Sequence, residues 1–209
     1  METSKALITH LLQSKSIIID PANPFRWSSG WKSPIYCDNR KTLSYPPIRD
    51  FIRDAFIEVM QKEFPAPDLI AGVATGAIAH AALVASATGL PLVYVRSSPK
   101  AHGTKSMIEG DVSVGKSALI IEDLVSTGSS SLRAAEALED AGCRVIGMAA
   151  IFSYGFPQAD EKFKRAGIRL VSLGHYNDLI EEAVRTGYID PLHADTLREW
   201  RKNPETWGS

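Results

Sequence analysis

The chain has 209 residues, 44% hydrophobic and 22% charged, with 24 acids against 23 Lys and Arg for a net charge of -1. That balance excludes a disordered chain and a nucleic-acid binder working by bulk charge. Cys37 and Cys143 lie far apart and outside any CxxC or Cys/His cluster, which excludes a disulfide framework or a zinc site and reads as two reduced thiols in a cytosolic protein.

The opening residues METSKALITHLLQSKSIIID carry no secretory signal pattern, and a helix is expected over about 2–14. An aromatic, turn-rich segment, NPFRWSSGWKSPIYCDNR, precedes a helix over PPIRDFIRDAFIEVMQKEF. Residues 1–65 read as an N-terminal hood and 66–209 as an α/β core, packed together as one domain, 1–209. Apolar, β-rich runs then recur at 67–75, 91–98, 117–125, 143–154 and 168–176. Being apolar on both faces, they predict strands of a buried parallel sheet. Helical patterns at 76–89 and 129–142 separate them, the second ending at Gly142, a residue suited to the position after a helix. The fold class is therefore α/β, with an open, mainly parallel sheet flanked by helices. From Leu69 to Val95 there is no Asp, Glu, Lys or Arg, long enough for a membrane span. Gly72, Gly76, His80, Gly89 and Pro91 punctuate that stretch as strand, turn, helix, turn and strand, so a βαβ unit is expected. From Asn177 onward two more helical patterns lead to the polar end RKNPETWGS.

Two stretches read as phosphate sites. GDVSVGKS, residues 110–117, matches GxxxxGK[ST] letter for letter, but such a loop must leave a strand and open a helix. Here a polar segment precedes it and SALIIED follows, so DVSV reads as a strand and VGK as a turn. ALIIEDLVSTGSSSLRAAEAL, residues 118–138, has the required order of strand, loop and helix. It gathers backbone N–H groups, Gly128 and the hydroxyls of Ser126, Thr127, Ser129 and Ser130 at a helix start, which is a cradle for a dianion. Glu122 and Asp123 fall at the carboxyl end of the strand, where open α/β sheets bind ligands. Carboxylates beside a phosphate repel it unless they hold vicinal hydroxyls or a metal ion. A ribose 5-phosphate offers both partners. The plainer reading is a capped helix beside solvated acids, but one cap needs one hydroxyl and this loop has several.

IIEDLVSTGSS resembles the phosphoribosyl-diphosphate (PRPP) motif of the type I phosphoribosyltransferases. FRWSSGWKSPIYCDNRK (25–41) resembles the N-terminal signature of the orotate phosphoribosyltransferases, and VRSSPKAHGTKSMIEG (95–110) their mobile catalytic loop. The resemblance implies the type I fold with a small hood, and transfer of the 5-phosphoribosyl group from PRPP to orotate. The products would be orotidine 5′-monophosphate and pyrophosphate, in UMP synthesis, through an oxocarbenium-like transition state. It implies Mg2+ on the pyrophosphate with no direct protein ligand assigned, a homodimer whose loop reaches the neighbouring site, a cytoplasmic location, and neither nucleic-acid nor membrane partners. By the same resemblance Glu122 and Asp123 hold the ribose hydroxyls, and Leu124, Val125, Ser126, Thr127, Gly128, Ser129 and Ser130 wrap the 5-phosphate. Ser126 also touches orotate. Arg96, Lys100 and His102 bind pyrophosphate, and Lys100, His102 and Asp123 are the catalytic set. A fixed guanidinium, a point charge and an imidazole suit a leaving group that gains negative charge. VATGAIA (73–79) matches the second pyrophosphate loop and otherwise reads as a tight turn. Tyr36 matches an orotate contact and Lys32 supplies charge for its carboxylate; without the resemblance they read as core and surface. The chain departs from some members at Ser28, Ser97 and Gly76, where they carry lysines, and at Tyr154, Gly155 and Phe156, where an orotate-binding arginine is expected. Two alternatives stand beside this reading. A purine phosphoribosyltransferase is opposed by SSGWKSPIYCDNR; a PRPP-sensing, nucleic-acid-binding regulator needs a basic groove of which the composition gives no sign.

Overall fold

The apolar runs pair as one sheet because strands buried on both faces can satisfy their backbone groups only with one another. In the computed structural model, which describes residues 2–27, 29–98 and 106–208, the elements follow this order. The N-terminal part holds α1 (Glu2–Gln13), β1 (Ile17–Ile19), β2 (Phe25–Arg26), β3 (Lys32–Ser33), β4 (Ile35–Cys37), a 3-10 turn (Asn39–Ser44) and α2 (Pro46–Glu63). The core holds β5 (Leu69–Val73), α3 (Ile78–Thr88), β6 (Leu92–Val95), β7 (Ile108–Glu109), β8 (Ser117–Val125), α4 (Ser129–Asp140), β9 (Arg144–Ser153), α5 (Pro157–Ala166), β10 (Leu170–His175), α6 (Tyr176–Arg185) and α7 (Pro191–Lys202).

The sheet runs β10-β9-β8-β5-β6-β7, parallel except for β7, which pairs antiparallel with β6. β5 connects through α3 to β6 on one side, and β8 through α4 to β9 on the other. Right-handed crossovers in opposite directions put α3 and α4 on opposite faces. Accordingly α3 packs with α2, and α4 with α5. The order reverses between β5 and β8, which opens a crevice beyond their carboxyl ends. Gly72 lets α3 come close: a Cβ there would lie 2.9 Å from Cβ of Ala81. The uncharged stretch from Leu69 to Val95 is the expected βαβ unit, and no helix among the described residues is long and apolar enough to cross a membrane.

The N-terminal part packs onto the core through two contacts. α1 turns Leu7, Ile8, Leu11 and Leu12 inward and lies on α6 and β10. The second contact is a cluster of rings, in which Trp27 meets Tyr154 at 4.9 Å and Trp200 at 5.4 Å, while Tyr154 stacks on Phe156 at 5.6 Å. Such pairs contribute about 0.5–1.5 kcal/mol each beyond the area they bury. Trp200 is fully buried, and its indole N–H donates to the carbonyl of Lys32 at 3.0 Å.

One expectation is corrected. DVSV is no strand: residues 111–113 are irregular and the chain turns at Val114 and Gly115 before β8. The turn is fixed by Gly115 N–H donating to Gly142 O at 2.8 Å and by Lys116 beside Asp68 at 3.3 Å, so no helix start faces it. The connection from β9 to β10 contains a helix, α5, whose only buried residues are Ala159 and Phe163, a stripe too narrow for its charged sequence to announce. The turn-rich segment 23–40 pairs with itself and its neighbour, β1 with β4 and β2 with β3.

Candidate active site

Successive residues of a strand face opposite sides, and at the end of β8 this separates two acids. Glu122, 4% exposed, points toward α4 and accepts from Ser131 Oγ at 2.8 Å and from Asp123 N–H at 3.0 Å. Asp123 points toward the turn before α3, so closely that a Cβ on Gly76 would lie 2.0 Å from its Oδ2. Burial, and then the neighbouring Asp123 charge, push Glu122 well above the usual carboxylate range. Burial also raises Asp123, opposed by a hydrogen bond from Glu122 and by the charge of Arg40. Burial thus favours the neutral form of Glu122, while Asp123 is the less buried of the two and faces the Gly76 turn.

The hood reaches this point through Asn39, which is buried and donates from Nδ2 to the carbonyl of Asp123 at 2.6 Å. Thr42 donates to the carbonyl of Asn39 at 2.6 Å and meets His80 Nε2 of α3 at 3.4 Å. Burial lowers the His80 pKa to about 4, so the ring is neutral, and its Nδ1 has no partner among the described residues. Sequence reasoning missed Asn39, Thr42 and His80; only the polar CDNR run beside the aromatic signature hinted at them.

The phosphate loop follows. Gly128 has φ of 76° and begins α4 without a side-chain cap, so the first amides of the helix are open to an anion. A Cβ on Gly128 would meet Phe163 Cε2 at 2.9 Å. Lys162 of α5 donates to the carbonyl of Thr127 at 3.2 Å and to Ser129 Oγ at 2.8 Å. It too was missed, because α5 was.

Beside the loop, Ser126, Thr127 and Leu124 form one side of a cleft of about 440 Å³, walled by Trp27, Trp31, Tyr36 and Tyr154. Tyr36 is 38% exposed and touches Phe25 at 5.6 Å. The cation in its lining is Arg26, exposed at the lip. Lys32 is not part of that lining: its ammonium donates to the carbonyl of Gly208. Cys37 borders the cleft as a half-buried thiol, its pKa raised by desolvation first and then by the charges of Asp123 and Asp38. Tyr154 and Phe156, standing where an arginine was sought, are 1% exposed parts of the ring cluster. A guanidinium does reach this segment from α7, where Arg201 donates to the carbonyls of Tyr154 at 2.9 Å and Gly155 at 2.5 Å.

Arg96 leaves β6 paired with Glu109 of β7 at 3.3 Å, and its N–H donates to the carbonyl of Met107 at 2.8 Å. These bonds close the base of the segment that contains Lys100, His102 and Lys105, which lie outside the described residues.

The profile of the phosphoribosyl transferase domain matches residues 43–187. The orotate phosphoribosyltransferase of Porphyromonas gingivalis is 54% identical over 204 residues, 98% of this chain and 97% of that protein. Among solved structures, the orotate phosphoribosyltransferase of Aeropyrum pernix superposes with a TM-score of 0.76 at 30% identity, covering 88% of this chain and 99% of its own. The UMP synthase of Leishmania donovani superposes with a TM-score of 0.82 at 26% identity, over 95% of this chain and 42% of its own.

Proposed function

We infer the chemistry of this crevice from the premise that the chain belongs to the orotate phosphoribosyltransferases, within the phosphoribosyl transferase family. It transfers the 5-phosphoribosyl group of PRPP to orotate and releases pyrophosphate, a pentosyl transfer in pyrimidine nucleotide synthesis. One observation carries the residue-level reading: a single strand end turns two adjacent acids to opposite faces, with an uncapped helix start on one side and an aromatic cleft on the other.

In this reading the 5-phosphate lies against the amides and hydroxyls of Leu124 to Ser130. The ribose hydroxyls donate to Asp123, while Glu122, accepting from Ser131 and from Asp123 N–H, fixes the strand end. That places C1 of the ribose between the turn at Gly76 and the cleft. Pyrophosphate would lie toward Gly76 and Arg96, where Lys100 and His102 bring charge as it departs. Binding these charges more strongly as they develop is what lowers the barrier. Orotate stacks beside Tyr36 with Ser126 at its edge. Arg26 takes its carboxylate, because it lines the cleft, whereas Lys32 lies outside the lining and would have to give up the Gly208 carbonyl. Among the described residues no cluster of three or more His, Cys, Asp or Glu could hold a metal ion. Magnesium is assigned to the substrate and would enter with the pyrophosphate of PRPP, with no direct protein ligand assigned. The tip of the loop 95–110, with Lys100 and His102, is assigned to the site of a second subunit in a cytoplasmic homodimer, while Arg96 at its base serves its own.

The test is direct. Protein, PRPP, magnesium and orotate are incubated while orotate absorbance and pyrophosphate release are followed, with adenine, hypoxanthine and uracil as competing bases. Orotate-dependent turnover is expected. Preference for a purine would overturn the base assignment, and PRPP binding without any transfer would favour a regulator.

A further inference from the structure

Lys162 stands on a helix that is mostly solvent-facing, yet its ammonium turns into the phosphate loop. It has no carboxylate partner among the described residues. Its neighbour Phe163 supplies the ring against which Gly128 is packed, so two adjacent residues of α5 brace both sides of the same turn. The charge is in an unfavourable place for an empty protein: the start of α4 already carries the positive end of the helix dipole, and a cation there is disfavoured until an anion arrives.

The hydrogen-bond polarity gives this cation a defined effect. An ammonium has donors only. The Ser129 oxygen therefore accepts from Lys162, at 2.8 Å, and its hydroxyl proton is left to donate elsewhere, at the mouth of the open helix start. The carbonyl of Thr127, taken by the same ammonium at 3.2 Å, is held off the cradle, where its lone pairs would oppose a phosphate. We propose that Lys162 is a positioning residue for the 5-phosphate of PRPP, setting Ser129 as a donor and keeping the Thr127 carbonyl turned away. This rests on reading residues 124–130 as the 5-phosphate loop.

Lys162→Met keeps the length and removes the donors; Lys162→Arg keeps donors in another geometry. Binding of ribose 5-phosphate and of pyrophosphate is measured separately by calorimetry on the full chain, with KM for PRPP and kcat. Lys162→Met is expected to weaken ribose 5-phosphate roughly 10- to 100-fold, the range for a hydrogen bond to a charged group, and to raise KM for PRPP more than it lowers kcat. Pyrophosphate affinity stays within about twofold, because that group binds elsewhere. Lys162→Arg recovers part of the loss, and adding Ser129→Ala to Lys162→Met costs less than Ser129→Ala alone. Unchanged ribose 5-phosphate affinity, or equal losses for both ligands, overturns the proposal. Wild-type protein that binds pyrophosphate but not ribose 5-phosphate would overturn the reading of the loop itself.

Discussion

The phosphate side of the crevice comes from one continuous run, Glu122 to Ser131, at the end of one strand and the start of one helix. The base side draws on the β2–β3 hairpin, Tyr36, the end of β9 and, behind them, Trp200 of α7. In the proposed reading the first side would bind PRPP through backbone groups whose positions are set by secondary structure. The second would bind orotate through side chains whose positions are set by packing between distant segments. Changes on the phosphate side should therefore act on PRPP and be severe, while changes on the base side should act on orotate and be graded.

The harshest test is Gly76→Ala. Its Cβ would fall 2.0 Å from Asp123 Oδ2, so the carboxylate must leave its place. Since a displacement of about 1 Å can cost 100-fold in rate, kcat/KM should fall by roughly that factor or more, with PRPP binding lost in calorimetry and folding retained by circular dichroism. Asp123→Asn is gentler. An amide cannot accept two ribose hydroxyls as a carboxylate does, and PRPP affinity should drop roughly 10- to 100-fold with KM for orotate little changed. If KM for orotate moved as far as that for PRPP, the two sides would not be separable.

Arg26→Gln probes the base side. The guanidinium is exposed at the lip, so its pairing with a carboxylate is screened by water. KM for orotate should rise about tenfold, PRPP affinity should hold, and discrimination against uracil, which lacks the carboxylate, should narrow. Lys32→Gln should move KM for orotate less, because that ammonium is bonded to Gly208. The reverse ranking would return the carboxylate to Lys32.

The same contrast decides what could be read from sequence. The strands of the sheet announce themselves because each is apolar on both faces, and the dianion loop because strand, acids, hydroxyls and helix are contiguous. Glu122 and Asp123 are adjacent letters, but only the pleat of β8 shows that one meets Ser131 and the other Gly76. Arg26 is a single cation on a strand of two residues, and no periodicity marks it. Tyr154 and Phe156 read as the absence of an arginine, whereas packing makes them the joint between hood and core. Lys162 lies on a helix with so little apolar surface that neither the helix nor its bond to Ser129 could be anticipated. The Walker-like GDVSVGKS is the converse, a legible motif that leads into a strand with no helix start behind it.

The smallest effect expected is also the one that separates the two acids. Glu122 has a folded-state pKa raised well above its unfolded value, chiefly by burial. The folded protein therefore holds a proton that the unfolded chain releases, and stability from this group is present below the unfolded pKa and lost as pH rises toward the folded one. Glu122→Gln removes that titration while an amide can still accept from Asp123 N–H and donate to Ser131 Oγ. Its Tm should match wild type near pH 4 and exceed it by a few degrees near pH 8, the scale on which about 1 kcal/mol shifts a domain of this size. The pH dependence of PRPP binding should flatten as well, since Asp123 no longer has a titrating carboxyl beside it. A variant less stable than wild type at pH 8 would mean that Glu122 is ionised in the folded protein, and the acid on the accessible side would lose its claim to be the sole acceptor.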